Sequence, residues 1–237
     1  MGHNLVDGFA KMPDGYQIYL QPTPFIDWDT PSVIQFAQST VGEASSDIDK
    51  AVRLYYRVRD EIRYDPYHIE LRPEMMKASA VLARGFGFCI EKAVLLAAAA
   101  RALTIPSRLG FADVRNHLAT ERLRQWLQTD LFVFHGYTEL WLEGRWVKAT
   151  PAFNRSLCER FGVKPLEFDG RHDSVFHPFD ANGQVHMEYV RDRGQFADVP
   201  FEAMVAELKR HYPRVFNEQN LIDGDFEHEA AIESVRR

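Results

Sequence analysis

One run of strong helix formers, from Ile90 to Leu103, constrains the fold more than any other segment of the sequence. Between Lys92 and Arg101 this run contains eight residues, and all of them are Ala, Val or Leu. A helix that is apolar on nearly every side has to be surrounded by other parts of the chain. Because eight apolar residues are too few to cross a bilayer, the run predicts a buried central helix and not a membrane span.

The remaining sequence predicts helices and strands that can cover this helix. Apolar residues at helical spacing predict amphipathic helices that begin at residue 31, near residue 46 and at residue 200. Apolar and β-branched runs predict strands at residues 108–114, 131–142 and 145–150. The turn Glu143-Gly144 predicts that the last two strands form a hairpin. We also expect a short strand within residues 15–20, a loop region at 151–183 and a solvated tail after about residue 223.

Composition and charge exclude several classes of protein. The chain has 237 residues, which corresponds to roughly one to two domains, so we expect one large domain or a core with extensions. Its net charge of -6 does not favour binding to nucleic acid. Two cysteines, Cys89 and Cys158, are too few for the disulfide framework of a small secreted protein. The N-terminus has no basic start followed by an apolar run, and we therefore expect a cytoplasmic protein with free thiols.

Cys89 stands at the start of the central helix, in a position that suits a nucleophile. The preceding Gly-Phe-Gly-Phe sequence, with Gly85 and Gly87, allows a sharp turn into the helix and a close backbone approach. The first turn of a helix offers unpaired N–H groups and partial positive charge, which lower the pKa of a thiol and can hold an oxyanion. Cys158 lies in a predicted loop, and we expect it to have no chemical role.

A nucleophilic cysteine needs a base, and His135 is the candidate among nine histidines. It lies within the predicted strand 131–142, where alternation places His135 and Tyr137 on one face. The hairpin partner brings Thr150 opposite this stretch, so a neighbour on the adjacent strand can orient the imidazole. Tyr64 and Tyr137 are candidates to flank the site and donate to an oxyanion, and simple packing explains both equally well.

Four segments in this order resemble the motifs of the transglutaminase-like superfamily. They are Gly87-Phe88-Cys89 at a helix start, the helix end 102–108, the strand His135-Gly136-Tyr137-Thr138-Glu139, and the stretch 144–151. The resemblance covers about residues 45 to 155. It implies a papain-like α+β fold, in which the helix that carries Cys89 packs on an antiparallel sheet that carries His135. It also implies a thiol enzyme with Cys89 as nucleophile and His135 as general acid and base, and neither a cofactor nor a metal ion is required.

Two positions depart from the motifs of the family. Thr104 replaces the glycine at the end of the helix, which removes a residue suited to a left-handed cap. Thr150 replaces the aspartate that orients the histidine. Three interpretations follow: Thr150 is a weak orienting residue, Asn154 or Asp169 supplies the third partner instead, or the site is inactive.

The resemblance predicts a cysteine-dependent acyl-transfer enzyme that acts on a small-molecule or peptide amide through a thioester on Cys89, with hydrolysis as the favoured outcome. Two alternatives stay open: a transamidase that passes the acyl group to an amine, and an inactive fold that acts as a binding module. We expect no nucleic-acid or membrane partner and no metal ion, because His172 and His177 do not have metal-ligand spacing. The predicted organisation is an N-terminal arm and helix at 1–44, the transglutaminase-like core at 45–155 and a C-terminal extension packed on the core at 156–237.

Overall fold

The computed structural model describes residues 15–117, 120–176, 187–215 and 224–234. Its helices are α1 (Pro31–Val41), α2 (Asp47–Glu61), α3 (Ala78–Arg84), α4 (Cys89–Ala102), α5 (Glu121–Leu127), α6 (Arg155–Phe161), α7 (Phe201–His211) and α8 (Phe226–Ser234). Its strands are β1 (Arg63–Tyr64), β2 (Phe86–Gly87), β3 (Ser107–Asn116), β4 (Leu131–Leu142), β5 (Arg145–Ala149) and β6 (Met187–Phe196). Short 3-10 helices lie at Tyr16–Leu20 and Pro73–Met75. This combination of helices with an antiparallel sheet confirms the predicted α+β fold.

Helix α4 is buried along its length, as its sequence predicts. Every residue from Cys89 to Arg101 is buried. Helices α1, α2 and α3 pack against α4, and so do strands β3 and β4. The hydroxyl of Thr138 donates to the carbonyl oxygen of Ala93 at 2.8 Å, which attaches the middle of β4 to the helix. Within the described residues, none of the helices is long and apolar enough to cross a membrane.

Two charged residues in the first turn of α4 are also buried. The Glu91 carboxylate accepts a hydrogen bond from the N–H of Phe88 at 3.1 Å and forms an ion pair with Arg84. Lys92 Nζ donates to the carbonyl oxygen of Arg59 at 2.9 Å. Both charged groups therefore have partners, and Glu91 caps the N-terminus of α4 by binding one of its free N–H groups.

The main sheet has the strand order β5-β4-β3-β6, and all neighbouring strands in it are antiparallel. The predicted hairpin of β4 and β5 is confirmed, with Trp141 opposite Trp146 and their ring centroids 5.4 Å apart. Sequence patterns do not predict the edge strand β6, because most of its side chains are exposed and lack apolar alternation. A separate parallel pair, β1 with β2, places Tyr64 opposite Gly87, beside the turn that leads into α4.

Strand β4 carries a bulge immediately before His135. One residue of β3, Asp113, opposes two residues of β4, Val133 and Phe134, and Phe134 has a positive φ of 57°. The N–H groups of these two residues donate to side chains instead of to the backbone of the neighbouring strand. That of Val133 donates to Tyr212 Oη at 2.7 Å, and that of Phe134 donates to Asp113 Oδ1 at 3.1 Å. Since a bulge changes the direction of the side chains that follow it, this one helps to orient His135.

The N-terminal part of the described chain differs from the prediction. Residues Tyr16–Leu20 form a 3-10 helix, whereas the sequence predicts a strand. Tyr16 and Tyr19 are separated by one turn of such a helix, and both rings pack against Trp146, with centroid distances of 5.4 and 5.1 Å. Aromatic packing, and not pairing with a neighbouring strand, therefore accounts for this conformation.

Two predictions for the C-terminal part are also wrong. Helix α6 lies within the predicted loop at 151–183, and it buries Leu157 and Cys158. Helix α8 lies where a solvated tail is predicted, because Phe226 is buried against Tyr64. Both helices are short and are held by contacts with distant parts of the chain, so local periodicity does not reveal them.

Thr104 adopts the backbone conformation that glycine usually provides at the end of such a helix. Its φ is 63°, in the left-handed region that β-branched residues rarely enter. The chain therefore keeps a left-handed turn after α4 despite the substitution, and the Thr104 hydroxyl donates to the carbonyl oxygen of Leu103 at 2.7 Å.

Candidate active site

Cys89 is the first residue of α4, and its thiol lies beside the backbone of β4. Gly136 makes this approach possible, because a Cβ atom at this position would lie 2.9 Å from the Cα atom of Ile90. Any side chain at Gly136 would therefore push the N-terminus of α4 away from the strand. Gly85 has its predicted role as well, since its φ of 73° provides a left-handed turn at the end of α3.

The Cys89 thiol is protonated at neutral pH. Burial raises its pKa to about 11, and hydrogen bonding from the backbone amides of Gly136 and Ile90 offsets only part of that effect. The expectation of a lowered thiol pKa is therefore wrong for the free protein. The partial positive charge of the helix N-terminus acts on the sulfur, but the exclusion of water outweighs it.

His135 lies on β4 directly after the bulge and is 6% exposed. Its ring packs against Phe176, with 5.4 Å between the ring centroids. Its Nε2 atom has no hydrogen-bond partner among the described residues. Burial lowers the pKa of His135 to about 4, so the imidazole is neutral at neutral pH and able to accept a proton.

Cys89 and His135 line one cavity, although they are far apart in the sequence. The cavity opens to solvent, and its volume for the centres of water-sized groups is about 60 Å³. Most of the other lining side chains are apolar or aromatic, and they include Tyr64, Leu127, Phe132, Leu208, Tyr212 and Val215. The predicted nucleophile and the predicted base are therefore brought to one apolar space, to which α5, β4 and the end of α7 contribute walls.

Tyr64 adds a polar group to this space. Within the described part of the chain, its hydroxyl forms no hydrogen bond with another residue, and burial raises its pKa well above the ordinary value. Tyr212 also lines the cavity, but two backbone groups of β4 occupy its hydroxyl. Tyr137 does not line the cavity, because its ring covers Gly110 on the neighbouring strand. Of the two tyrosines considered from the sequence, the structure places Tyr64 with Cys89.

Thr150 directly follows β5 and is 1% exposed. The preceding residue Ala149 pairs with Thr138, as the hairpin predicts. The Thr150 N–H donates to the carbonyl oxygen of Ser174 at 3.1 Å, and its own carbonyl oxygen accepts from Tyr55 Oη at 3.2 Å. Its Oγ1 atom has no hydrogen-bond partner in the described ranges of the chain. The structure therefore shows a buried hydroxyl that is not bonded to the imidazole.

Asn154 is one of the two alternatives for an orienting residue, and its side chain is used to hold the turn before β1. Its Oδ1 atom accepts from the N–H of Tyr64 at 2.7 Å. Its Nδ2 atom donates to the carbonyl oxygens of Arg59 and Ile62 at 2.6 and 2.9 Å. Asn154 thus positions Tyr64, and its hydrogen-bonding groups are directed to the backbone and not to the imidazole of His135.

Asp169, the other alternative, is exposed, and its carboxylate binds its own loop. It pairs with Nδ1 of His172 at 2.7 Å and accepts from the N–H of the same residue at 2.8 Å. The structure does not bring Asp169 to His135. His177 lies outside the described residues, and within them no cluster of three His, Cys, Asp or Glu side chains could hold a metal ion.

Replacing Thr150 with valine is expected to leave the free energy of unfolding unchanged or to raise it by up to about 2 kcal/mol, because a buried hydroxyl without a partner is unfavourable. Thr138→Val is the matched control, since that hydroxyl is bonded to α4, and it is expected to lower the free energy by about 1 kcal/mol. Urea unfolding measures both changes. A larger loss for Thr150→Val than for Thr138→Val would mean that Thr150 is hydrogen-bonded in solution.

Cys158 differs from Cys89 in its surroundings. It lies in α6, is 2% exposed and does not line the cavity. Burial raises its pKa to about 12. Both cysteines are free thiols, and only Cys89 shares the cavity with a histidine.

A buried helix that begins with a cysteine, packed on an antiparallel sheet that carries a histidine, is the architecture of the papain-like α+β class. The family model of the transglutaminase-like superfamily matches residues 34–151, which include Cys89, His135 and Thr150. The chain therefore belongs to the transglutaminase-like superfamily, which confirms the resemblance seen in the sequence. Comparison with the curated proteins gives no match.

Two solved structures are similar to this chain. One is a protein of Cytophaga hutchinsonii, provisionally described as a cysteine protease, with 18% sequence identity, a TM-score of 0.48, and coverage of 79% of this chain and 53% of the other. The second is a protein of Parabacteroides distasonis ATCC 8503, provisionally described as a protease, with 16% identity, a TM-score of 0.36, and coverage of 61% and 28%. The match thus spans about half the length of the first protein and about a quarter of the second.

Proposed function

We propose that this protein is a cysteine-dependent enzyme that hydrolyses a small-molecule or peptide amide through a thioester on Cys89. One observation carries the proposal: Cys89, in the first turn of a buried helix, lines the same cavity as His135 from the sheet. Membership of the transglutaminase-like superfamily supports it, because the matched residues include both side chains.

The reaction begins from a neutral thiol and a neutral imidazole, as the pKa directions of Cys89 and His135 indicate. The sulfur attacks the carbonyl carbon of the amide while His135 takes the thiol proton. The imidazole then gives this proton to the leaving amine, the C–N bond breaks, and the acyl group remains on Cys89. Water attacks the thioester with His135 as base, which releases the acid and restores the thiol. Proton transfer by a positioned histidine typically contributes about 10²- to 10⁴-fold to the rate.

The negative charge that develops on the carbonyl oxygen needs hydrogen-bond donors. Backbone N–H groups of Cys89, Ile90 and Gly136 are directed toward the sulfur. Tyr64 lines the same cavity, and its hydroxyl forms no hydrogen bond with a described residue. Because α4 and β4 hold these groups in place before the reaction, they can stabilise the oxyanion without rearrangement.

A second candidate function is that of an inactive fold that binds a ligand. Two observations favour it: Thr150 stands where the family has aspartate, and its hydroxyl is bonded to no described residue. Without an orienting carboxylate, the imidazolium that forms during acylation loses a source of stabilisation.

Acylation of Cys89 distinguishes the two functions. We expect p-nitrophenyl acetate to release one equivalent of nitrophenol per chain in a rapid burst, with the acetyl group located on Cys89 by peptide mass spectrometry. Cys89→Ala is expected to abolish the burst. Cys158→Ala, the same change at the other buried cysteine, is expected to preserve it.

Addition of a primary amine to the acylated protein separates hydrolysis from transamidation. Hydrolysis predicts free acetate and an unchanged rate of deacylation, whereas a transamidase would form the acetamide of the amine. A folded protein that forms no adduct on Cys89 would contradict the enzyme proposal and favour the binding module.

A further inference from the structure

We propose that the cavity beside Cys89 binds an uncharged apolar group on the acyl side of the substrate. The inference rests on the proposed function and names its substrate class, which is amides whose acyl part carries an aliphatic or aromatic group.

The first argument is the chemistry of the wall. Its apolar side chains come from α5, β4 and the end of α7, and they include Leu123, Leu127, Phe132, Leu208 and Val215. None of the described residues that line the cavity is an Asp, Glu, Lys or Arg. This described lining therefore offers no opposite charge to an acidic or basic group of a substrate, and it favours an apolar group, which leaves water on binding.

The second argument is that the backbone N–H groups of the bulge, which lies in this wall, already have partners. The N–H groups of Val133 and Phe134 donate to Tyr212 and Asp113, as described for the bulge. Arg193 pairs with Asp113 at 2.8 Å, so that carboxylate is neutralised by the protein itself. A charged acyl group placed against this wall would lose its hydration without gaining a partner, which is unfavourable.

The third argument concerns the direction in which the substrate lies. A carbonyl carbon within reach of the Cys89 sulfur has two substituents, the acyl chain and the amine. The amine has to depart and be replaced by water before the second step, so its side must open to solvent. The acyl chain stays attached through both steps, and the apolar wall is the part of the cavity that can hold it.

The wall also shows where this preference originates. Leu208, Tyr212 and Val215 lie beyond residues 34–151, the part of the chain that matches the family. The end of α7 therefore adds a surface to the part of the fold that is shared with the family. The proposed apolar site is formed in part by residues that lie outside this shared part.

A series of p-nitrophenyl esters tests the inference, with the burst rate at Cys89 as the measured quantity. We expect the hexanoate to acylate Cys89 at least about 10-fold faster than the acetate, because each added methylene group leaves water on binding. The succinate half-ester, which carries a charge, is expected to react more slowly than the acetate. Equal rates for acetate, hexanoate and succinate would overturn the inference and leave the proposed function intact.

Substitutions at the half-buried edge of the wall localise the effect. Val215→Asp and Ile69→Asp are each expected to lower the ratio of the hexanoate to the acetate acylation rate at least about 10-fold, because a carboxylate in the lining disfavours an apolar group beside it. Val190→Asp is the matched control, since Val190 is 51% exposed on β6 and does not line this cavity. If one variant no longer reacts even with the acetate, its fold is damaged and the rate ratio in the other variant tests the inference. An unchanged ratio in a variant that still reacts would contradict the inference.

Alkylation of Cys89 is a second experiment, and its result does not depend on catalysis. N-hexyl iodoacetamide is expected to modify Cys89 at least about 10-fold faster than iodoacetamide, and Val215→Asp is expected to remove that difference. If no ester acylates Cys89 but the hexyl reagent is still preferred, the proposed function fails and the apolar site stands. If the two reagents react equally, the apolar site is refuted.

Discussion

Replacing His135 with glutamine is expected to slow the acylation of Cys89 by about 10²- to 10⁴-fold. The thiol of Cys89 is protonated at neutral pH because burial raises its pKa to about 11, so attack on a carbonyl requires a base. His135 is the histidine that lines the cavity, and burial keeps its imidazole neutral. The burst rate with p-nitrophenyl acetate measures the effect.

His172→Gln is the matched control for this substitution. His172 is exposed and bonded to Asp169 in a loop, so the same chemical change there is expected to leave the burst rate within about 2-fold of the original. If the burst rate of His135→Gln is also within about 2-fold of the original rate, another group takes the thiol proton.

The same pair of variants shows how His135 links stability to pH. Its pKa is about 4 in the folded protein and 6.5 for an ordinary histidine, so the unfolded chain binds a proton more readily between these values. The free energy of unfolding therefore falls as the pH drops from about 6.5 to about 4, by about 3 kcal/mol from this residue. This contribution is expected to disappear in His135→Gln and to remain in His172→Gln, as urea unfolding at several pH values measures.

Replacing Arg101 with methionine is expected to lower the free energy of unfolding by about 3 kcal/mol. The guanidinium is 1% exposed and donates to the carbonyl oxygens of Gln21, Ser107 and Ala197 at 2.6, 2.8 and 2.6 Å. Methionine fills a similar space but leaves these three acceptors without their donor. Burial lowers the pKa of Arg101 to about 10, which shows that burying this charge is unfavourable. Methionine removes that cost, so the loss in free energy is smaller than the three hydrogen bonds together would give.

Arg124→Met is the control for Arg101. Arg124 lies on α5, where its half-buried side chain pairs with Glu121 at 3.2 Å, and its loss is expected to cost less than about 0.5 kcal/mol. Arg101→Lys keeps the charge but lacks the planar guanidinium group. Its loss in the free energy of unfolding is expected to lie between the losses of Arg101→Met and Arg124→Met. If the free energy of unfolding of Arg101→Met is within about 1 kcal/mol of that of the original protein, contacts other than those of Arg101 hold the N-terminal segment and the stretch after β6.

The centre of the molecule can be predicted from the sequence because neighbouring residues determine it. The apolar run after Lys92 requires burial on all sides, and the turn Glu143-Gly144 sets the hairpin. Gly136 and Thr138 share one face of β4, and the structure shows that this face packs on α4, where Gly136 allows close approach and Thr138 donates to Ala93. These relations hold within one element or between two that are adjacent in the chain.

The surroundings of the site depend on distant contacts, and local patterns do not contain them. The bulge before His135 is completed by Asp113 and Tyr212, which come from another strand and from the end of α7. Helix periodicity predicts that one side of α7 is buried, but it does not say that this side forms a wall of the cavity. The raised pKa of Cys89 follows from the exclusion of water by all of these elements together, which no motif at the helix start can report.

The burial of Cys158 gives the molecule an internal reporter of its own opening. Helix α6 packs against α2 and α8, so a thiol reagent reaches this cysteine only when those contacts separate. In Cys89→Ala it is the sole thiol of the chain. The rate of its modification then measures how often this part of the protein opens. A rate that follows the free energy of urea unfolding means global opening, and a faster rate means that the C-terminal helices detach while the rest of the protein stays folded.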